Sequence, residues 1–117
     1  MNKADAIRIL EESFLRPTST PNIGTENREQ YIKENQKYLI EHSIEPVMVE
    51  AFTSQWAKDF TDFTNESYQM LCIAKSERRE LLYDEDNKTF SLAVRNEKGK
   101  LYLVGYASTD ALAEWLG

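Results

Sequence analysis

His42 is the only histidine of the chain and Cys72 its only cysteine, so imidazole or thiolate chemistry has a single candidate of each kind. Ser43 adjoins His42, but a serine–histidine–acid relay is defined by geometry in space, and adjacency in sequence supplies none. His42 instead ends a long helical pattern, where a cationic side chain is favoured by the helix dipole. Cys72 lies between Leu71 and Ile73. An apolar setting of that kind disfavours the thiolate, so the residue reads as core. Asp84-Glu85-Asp86 has the look of a calcium loop. With Asp84 in first place, however, Lys88, Thr89 and Arg95 occupy the fifth, sixth and twelfth positions, which need an oxygen ligand, a glycine and a glutamate. Gly24, Gly99, Gly105 and Gly117 never cluster, so no phosphate-cradling loop is present. No catalytic, cofactor or metal-binding residue is assigned, and no motif identifies an activity.

The informative feature is charge. The 117 residues carry 20 acidic and 14 basic side chains, a net charge of −6. Six of the acids, Glu41, Glu45, Glu50, Asp59, Asp62 and Glu66, fall within residues 41–66 against the single Lys58. Nearly the whole surplus therefore sits in one stretch, which also holds Phe52, Trp56, Phe60 and Phe63. Carboxylates around aromatic anchors suit a basic partner, since complementary charge speeds encounter and aromatics carry binding energy. The basic run Lys75, Arg78 and Arg79 is interrupted by Glu77 and followed by Glu80, and reads as material for cross-strand pairs.

Composition bounds the rest. Hydrophobic residues make up 41% of the chain, consistent with a single folded domain over residues 1–117. The longest uninterrupted apolar run, Met70–Ala74, has five residues, far short of the roughly 20 that cross a bilayer as a helix. Acid appears by Asp5 and no apolar signal segment precedes it, so a cytoplasmic location is expected and no membrane association. A net negative chain is poorly suited to nucleic acid.

The elements follow from spacing. Asn2 with Asp5 three positions on forms a capping box for a helix over 2–15 that Pro17 ends. Residues 16–24 read as a connecting loop. A second, mostly polar helix runs over about 26–41. Within 44–63, Val49, Phe52, Trp56, Phe60 and Phe63 recur at helical spacing, yet Val47-Met48-Val49 after Pro46 also reads as a strand. Strand and helix fit 47–52 equally, and a helix is expected over 54–63. Residues 68–75 form a strand buried on both faces. Leu81-Leu82-Tyr83, then 90–94 and 101–106, supply further strands joined by tight turns at 84–87 and 96–99, with Gly99 at the position needing a positive φ. Ser108 or Thr109 caps a last helix over 109–116. Strands joined by such short turns are antiparallel. The expected fold is α+β: two or three N-terminal helices, an antiparallel sheet of three to five strands and a short C-terminal helix.

That outline, small and acidic with no catalytic signature, is similar in class to toxin-neutralising immunity proteins and phage-encoded inhibitors. The leading expectation is a non-enzymatic binding protein that engages a basic protein partner through Glu50, Trp56, Asp59, Asp62 and Glu66, as an immunity protein masking a nuclease-like toxin would. Two alternatives remain: a small-ligand or enzymatic module with a pocket between sheet and helices using Tyr68, Tyr83, Tyr102 or Tyr106, and a homodimer that buries the aromatic stripe.

Overall fold

The structure is a computed structural model that describes residues 1–16, 27–61 and 63–116, without the side chains at 56, 57 and 60. Most of the loop read over 16–24 lies outside the described residues, as does Asp62. Helix α1 spans Lys3–Phe14, α2 Arg28–Glu41, and strand β1 Ser43–Thr53. A short α3, Gln55–Phe60, leads to β2, Ser67–Ser76, followed by β3 Arg79–Asp84, β4 Thr89–Arg95, β5 Leu101–Leu103 and α4 Ala111–Leu116.

The α+β arrangement is as the sequence reads, and β1–β5 close into a barrel. Each strand runs antiparallel to the next, with β3 and β4 paired from Arg79↔Val94 to Asp84↔Thr89. Four reversals bring the fifth strand back to the direction of the first, so the seam between β1 and β5 is parallel, through Phe52↔Tyr102 and Thr53↔Leu103.

Closure explains the unbroken burial along β3 and β4. One face of each strand looks into the barrel, where Ala51, Cys72, Leu82, Ala93, Leu101 and Leu103 pack together. The other face carries Ile73, Leu81, Tyr83, Phe90 and Leu92 against Ala6 and Leu10 of α1, Leu39 of α2, and Ala111 and Trp115 of α4. Sealing each such leucine from water contributes roughly 1.5–3 kcal/mol. The helices are fixed by their ends. Asn2 and Asp5 form the expected capping box, and Asn27 caps α2 through the Gln30 amide. Ser13 Oγ at the end of α1 donates to the Thr109 carbonyl at 2.7 Å and accepts from the Ala111 amide at 3.0 Å, locking α1 to the start of α4.

Three boundaries differ from the sequence reading. The strand read over 101–106 is ladder only over Leu101–Leu103, because the chain next pairs with β4 at Phe90 and Ser108. The cap of α4 is Asp110, whose carboxylate accepts from the Ala113 amide at 3.1 Å, so the helix begins later than 109. Residues 43–53 are strand, and the following helix covers only 55–60.

Candidate binding surface

The helical spacing of Val49, Phe52, Trp56, Phe60 and Phe63 is shared out among strand β1, helix α3 and the segment after it. Phe52 lies on β1, paired with Ser67, and its ring is covered by the Lys100 ammonium 4.1 Å from the ring centre. Phe63 lies beyond α3, buried in the barrel cluster and edge-on to Tyr68 at 5.2 Å. No single helix presents the aromatics as one stripe, because the chain changes from an extended to a helical path at Ser54.

The acidic stretch divides along β1. Glu45 accepts from the Lys3 amide at 3.1 Å and Glu41 faces Lys37 at 3.9 Å, both near the helices. Glu50 lies five residues beyond Glu45, roughly 16 Å along an extended strand. Glu50 accepts from the Ser67 hydroxyl at 3.0 Å. Glu66, next to Ser67, pairs with Lys58 at 2.9 Å, and that contact holds its carboxyl below the usual range, with Lys100 adding a smaller pull in the same direction. Asp59 on α3 accepts from the Gln55 amide group at 3.0 Å. Glu50, Asp59 and Glu66 are all exposed. Lys58 and, more weakly, Lys100 offset the charge of Glu66.

A second acidic place was not foreseen. Met48, Leu71, Tyr83 and Phe90 are consecutive partners across β1, β2, β3 and β4, forming one apolar row over the outer face of the barrel. At the Phe90 end the row is buried beneath helices; at the other end Met48 is 54% exposed. A shallow groove of about 120 Å³ follows Met48, Leu71 and Tyr83 and is bounded by Asp84, Glu85 and Asp86, with no basic side chain in its lining. The Tyr83 hydroxyl titrates above its ordinary value, first through burial and then through Glu85, Glu12 and Asp84. Glu50 lies two residues from Met48, on the same face of β1. Arg16 and Lys88 line a separate cleft on the Phe90 side of Tyr83. The row depends on strand register, which the sequence does not spell out; the run Asp84-Glu85-Asp86 next to Tyr83 was the available signal.

The remaining candidates have structural roles. His42 Nδ1 lies 2.8 Å from the Tyr38 carbonyl and its ring stacks on Tyr38 at 4.1 Å, at the end of α2. Cys72 is buried in the barrel. The Asp84 carboxylate accepts from the Asp86 and Asn87 amides and from the Asn87 side chain, an Asx turn that occupies its oxygens. Glu80 at the end of the charge run does enter a cross-strand pair, with Arg95 at 2.8 and 3.2 Å, whereas Lys75, Arg78 and Arg79 enter none of the ion pairs among the described residues. Among the described residues, no group of three or more His, Cys, Asp or Glu is placed to hold a metal ion. No helix among them is long and apolar enough to cross a membrane. No family model matches the chain, and no curated protein or solved structure is significantly similar to it.

Proposed function

We propose that this protein is a non-enzymatic binding protein that engages a basic protein partner through its acidic face. The observation that carries the reading is the apolar row that opens at Met48 among the carboxylates of Glu50, Asp84, Glu85 and Asp86. An apolar strip rimmed by one sign of charge fits a partner segment with an apolar anchor and lysines or arginines beside it. The anchor contributes affinity and the charges contribute rate and specificity. We assign the sequence-derived residues Asp59 on α3 and Glu66 just before β2 to the same partner contact, with the Glu66 charge reduced by Lys58; Trp56 and Asp62 belong to the same stretch of chain. Inhibition of a nuclease-like toxin, by imitating the charge of its substrate, is the biological role that this surface suits best.

The test compares immobilised wild-type protein with a Glu50→Lys/Glu85→Lys variant, both substitutions being at exposed positions. Proteins retained from host lysate are identified and their affinities measured at low salt and at about 0.5 M salt, where surface charges are largely screened. Support requires a net-basic protein that binds wild type one-to-one, loses at least about tenfold in affinity on charge reversal and in salt, and protects the Met48 and Leu71 amides from exchange. Binding indifferent to both salt and charge reversal overturns the proposal, as does a partner footprint that omits this face.

A further inference from the structure

On the other side of the barrel the sheet is left partly uncovered, and the reason is local. Strand β5 ends at Leu103; the Val104 amide still donates to the Leu92 carbonyl at 3.1 Å, but the chain rejoins β4 only where Phe90 and Ser108 exchange two backbone bonds. Gly105, Tyr106 and Ala107 therefore bow away from β4. The space they leave is a groove of about 440 Å³ lined by Leu92, Val94, Val104 and Tyr106, with Arg79 and Glu114 as its charged members. That volume falls within the range of small-molecule sites, and an apolar floor with a few convergent polar groups is their usual composition. Val104 and Tyr106 are 42% and 53% exposed, an apolar surface that folding leaves in water.

The two charged groups are not equivalent. The Glu114 carboxylate accepts from the Ser108 hydroxyl at 2.9 Å. Arg79 gives one N–H to the Trp115 carbonyl at 2.9 Å, which anchors the guanidinium and leaves further donors available. Arg79 also lines a second depression of about 420 Å³ together with Arg78, Glu77, Tyr38 and Ser76, so the two hollows meet at this side chain. None of the ion pairs among the described residues involves Arg78 or Arg79. Two arginines that enter no ion pair among the described residues, lining hollows that meet at the end of an apolar trough, match the two halves of an amphiphile.

We propose that this groove binds a small amphiphilic anion, with a carboxylate or phosphate head on Arg79 and Arg78 and an apolar body over Leu92, Val94, Val104 and Tyr106. The planar fork of Arg79 suits either head, since both accept paired N–H donors. The site is separate from the acidic face and does not depend on it.

The test is an NMR titration of the isotopically labelled full chain with octanoate, octyl phosphate and 1-octanol. Saturable shifts of the Leu92, Val104, Gly105 and Tyr106 amides are expected with at least one of the anions in the millimolar range, and binding of octanol at least about tenfold weaker. Arg79→Gln should weaken anion binding by a similar factor, with Arg79→Lys retaining part of it. Because Arg79 also holds the end of α4, Val104→Asp, at an exposed position, provides a second variant that blocks the floor without touching that contact. Saturation by only one of the anions identifies the head group. Failure of both anions to saturate, octanol binding as tightly as either, or unchanged binding in Val104→Asp each overturns the proposal.

Discussion

Cys72 sits inside the barrel wall with its sulfur 3.5 Å from the Ala74 carbonyl. Burial pushes its thiol up from 9.0 to about 12, and the neighbouring Glu80 adds to the shift. Glu80 is itself 2% exposed and is held by Arg95, which also donates to the Gly99 carbonyl at 2.6 Å and so ties the carboxylate to the β4–β5 turn. A thiol in such a place stays protonated, and the consequence is a stability that depends on pH with a defined sign. Between about pH 9 and 12 the unfolded chain releases the thiol proton while the folded chain keeps it. The unfolded state then binds fewer protons, and stability falls as pH rises, by at most about 1.4 kcal/mol per pH unit. Urea unfolding of wild type should lose roughly 1.5 kcal/mol between pH 9 and 10.5 from this group alone. Cys72→Ala, less stable at neutral pH through its cavity, should show a shallower decline. Identical slopes for the two proteins would contradict the assignment.

At the scale of elements, the turns were the most legible part of the chain and contain its clearest local strain. Gly99, at φ +82°, supplies the turn conformation expected of it. Glu77 and Lys88 adopt φ of +56° without being glycine, each at a hairpin corner and exposed. A side chain in the left-handed region costs about 1 kcal/mol, part of which glycine recovers after its own loss of chain entropy. Glu77→Gly and Lys88→Gly should each raise Tm by roughly 2–4 °C, equivalent to about 0.5 kcal/mol for a domain of this size; a lower Tm for either would show that its side chain contributes something the turn needs. The same scale shows where sequence reading stopped. Asn2 with Asp5, and the alternation through 68–75 and 89–95, mark their elements because local chemistry alone determines them. The spacing Val49–Phe52–Trp56–Phe60–Phe63 misleads because an 11-residue strand, a joint and a six-residue helix happen to place large apolar residues three and four apart. Alternation through Gly105 likewise outlasts β5, which stops at Leu103, since alternation does not register where a ladder partner is lost. Glu50 could be nominated from the charge asymmetry. The Met48–Leu71–Tyr83 row could not, because it exists only once three strands are in register.

For the whole molecule, the decisive event is closure of the sheet, and its weakest line is the seam between first and last strands. β3 and β4 are paired over six positions, whereas β1 and β5 meet over two. That short parallel contact is reinforced from outside: the Lys100 ammonium lies 4.1 Å from the Phe52 ring centre and 5.3 Å from that of Tyr102, the two aromatic residues paired across the seam. Ring contact adds to this, with the centroids of Phe52 and Tyr102 6.3 Å apart. A cation over two partly exposed rings contributes on the order of 0.5–1 kcal/mol, comparable to one backbone bond and therefore a large share of what holds so short a ladder. Opening should begin here while the helix-covered wall of β2, β3 and β4 stays closed. Native-state hydrogen exchange should accordingly find the amides of Leu101–Leu103 protected less than those of Leu81–Tyr83 and Leu92–Val94. Lys100→Ala should accelerate exchange at the seam by about two- to fivefold while leaving the β3–β4 amides unchanged. Uniform acceleration throughout the barrel would instead mean that the seam opens only with global unfolding, and that the five strands behave as one cooperative unit.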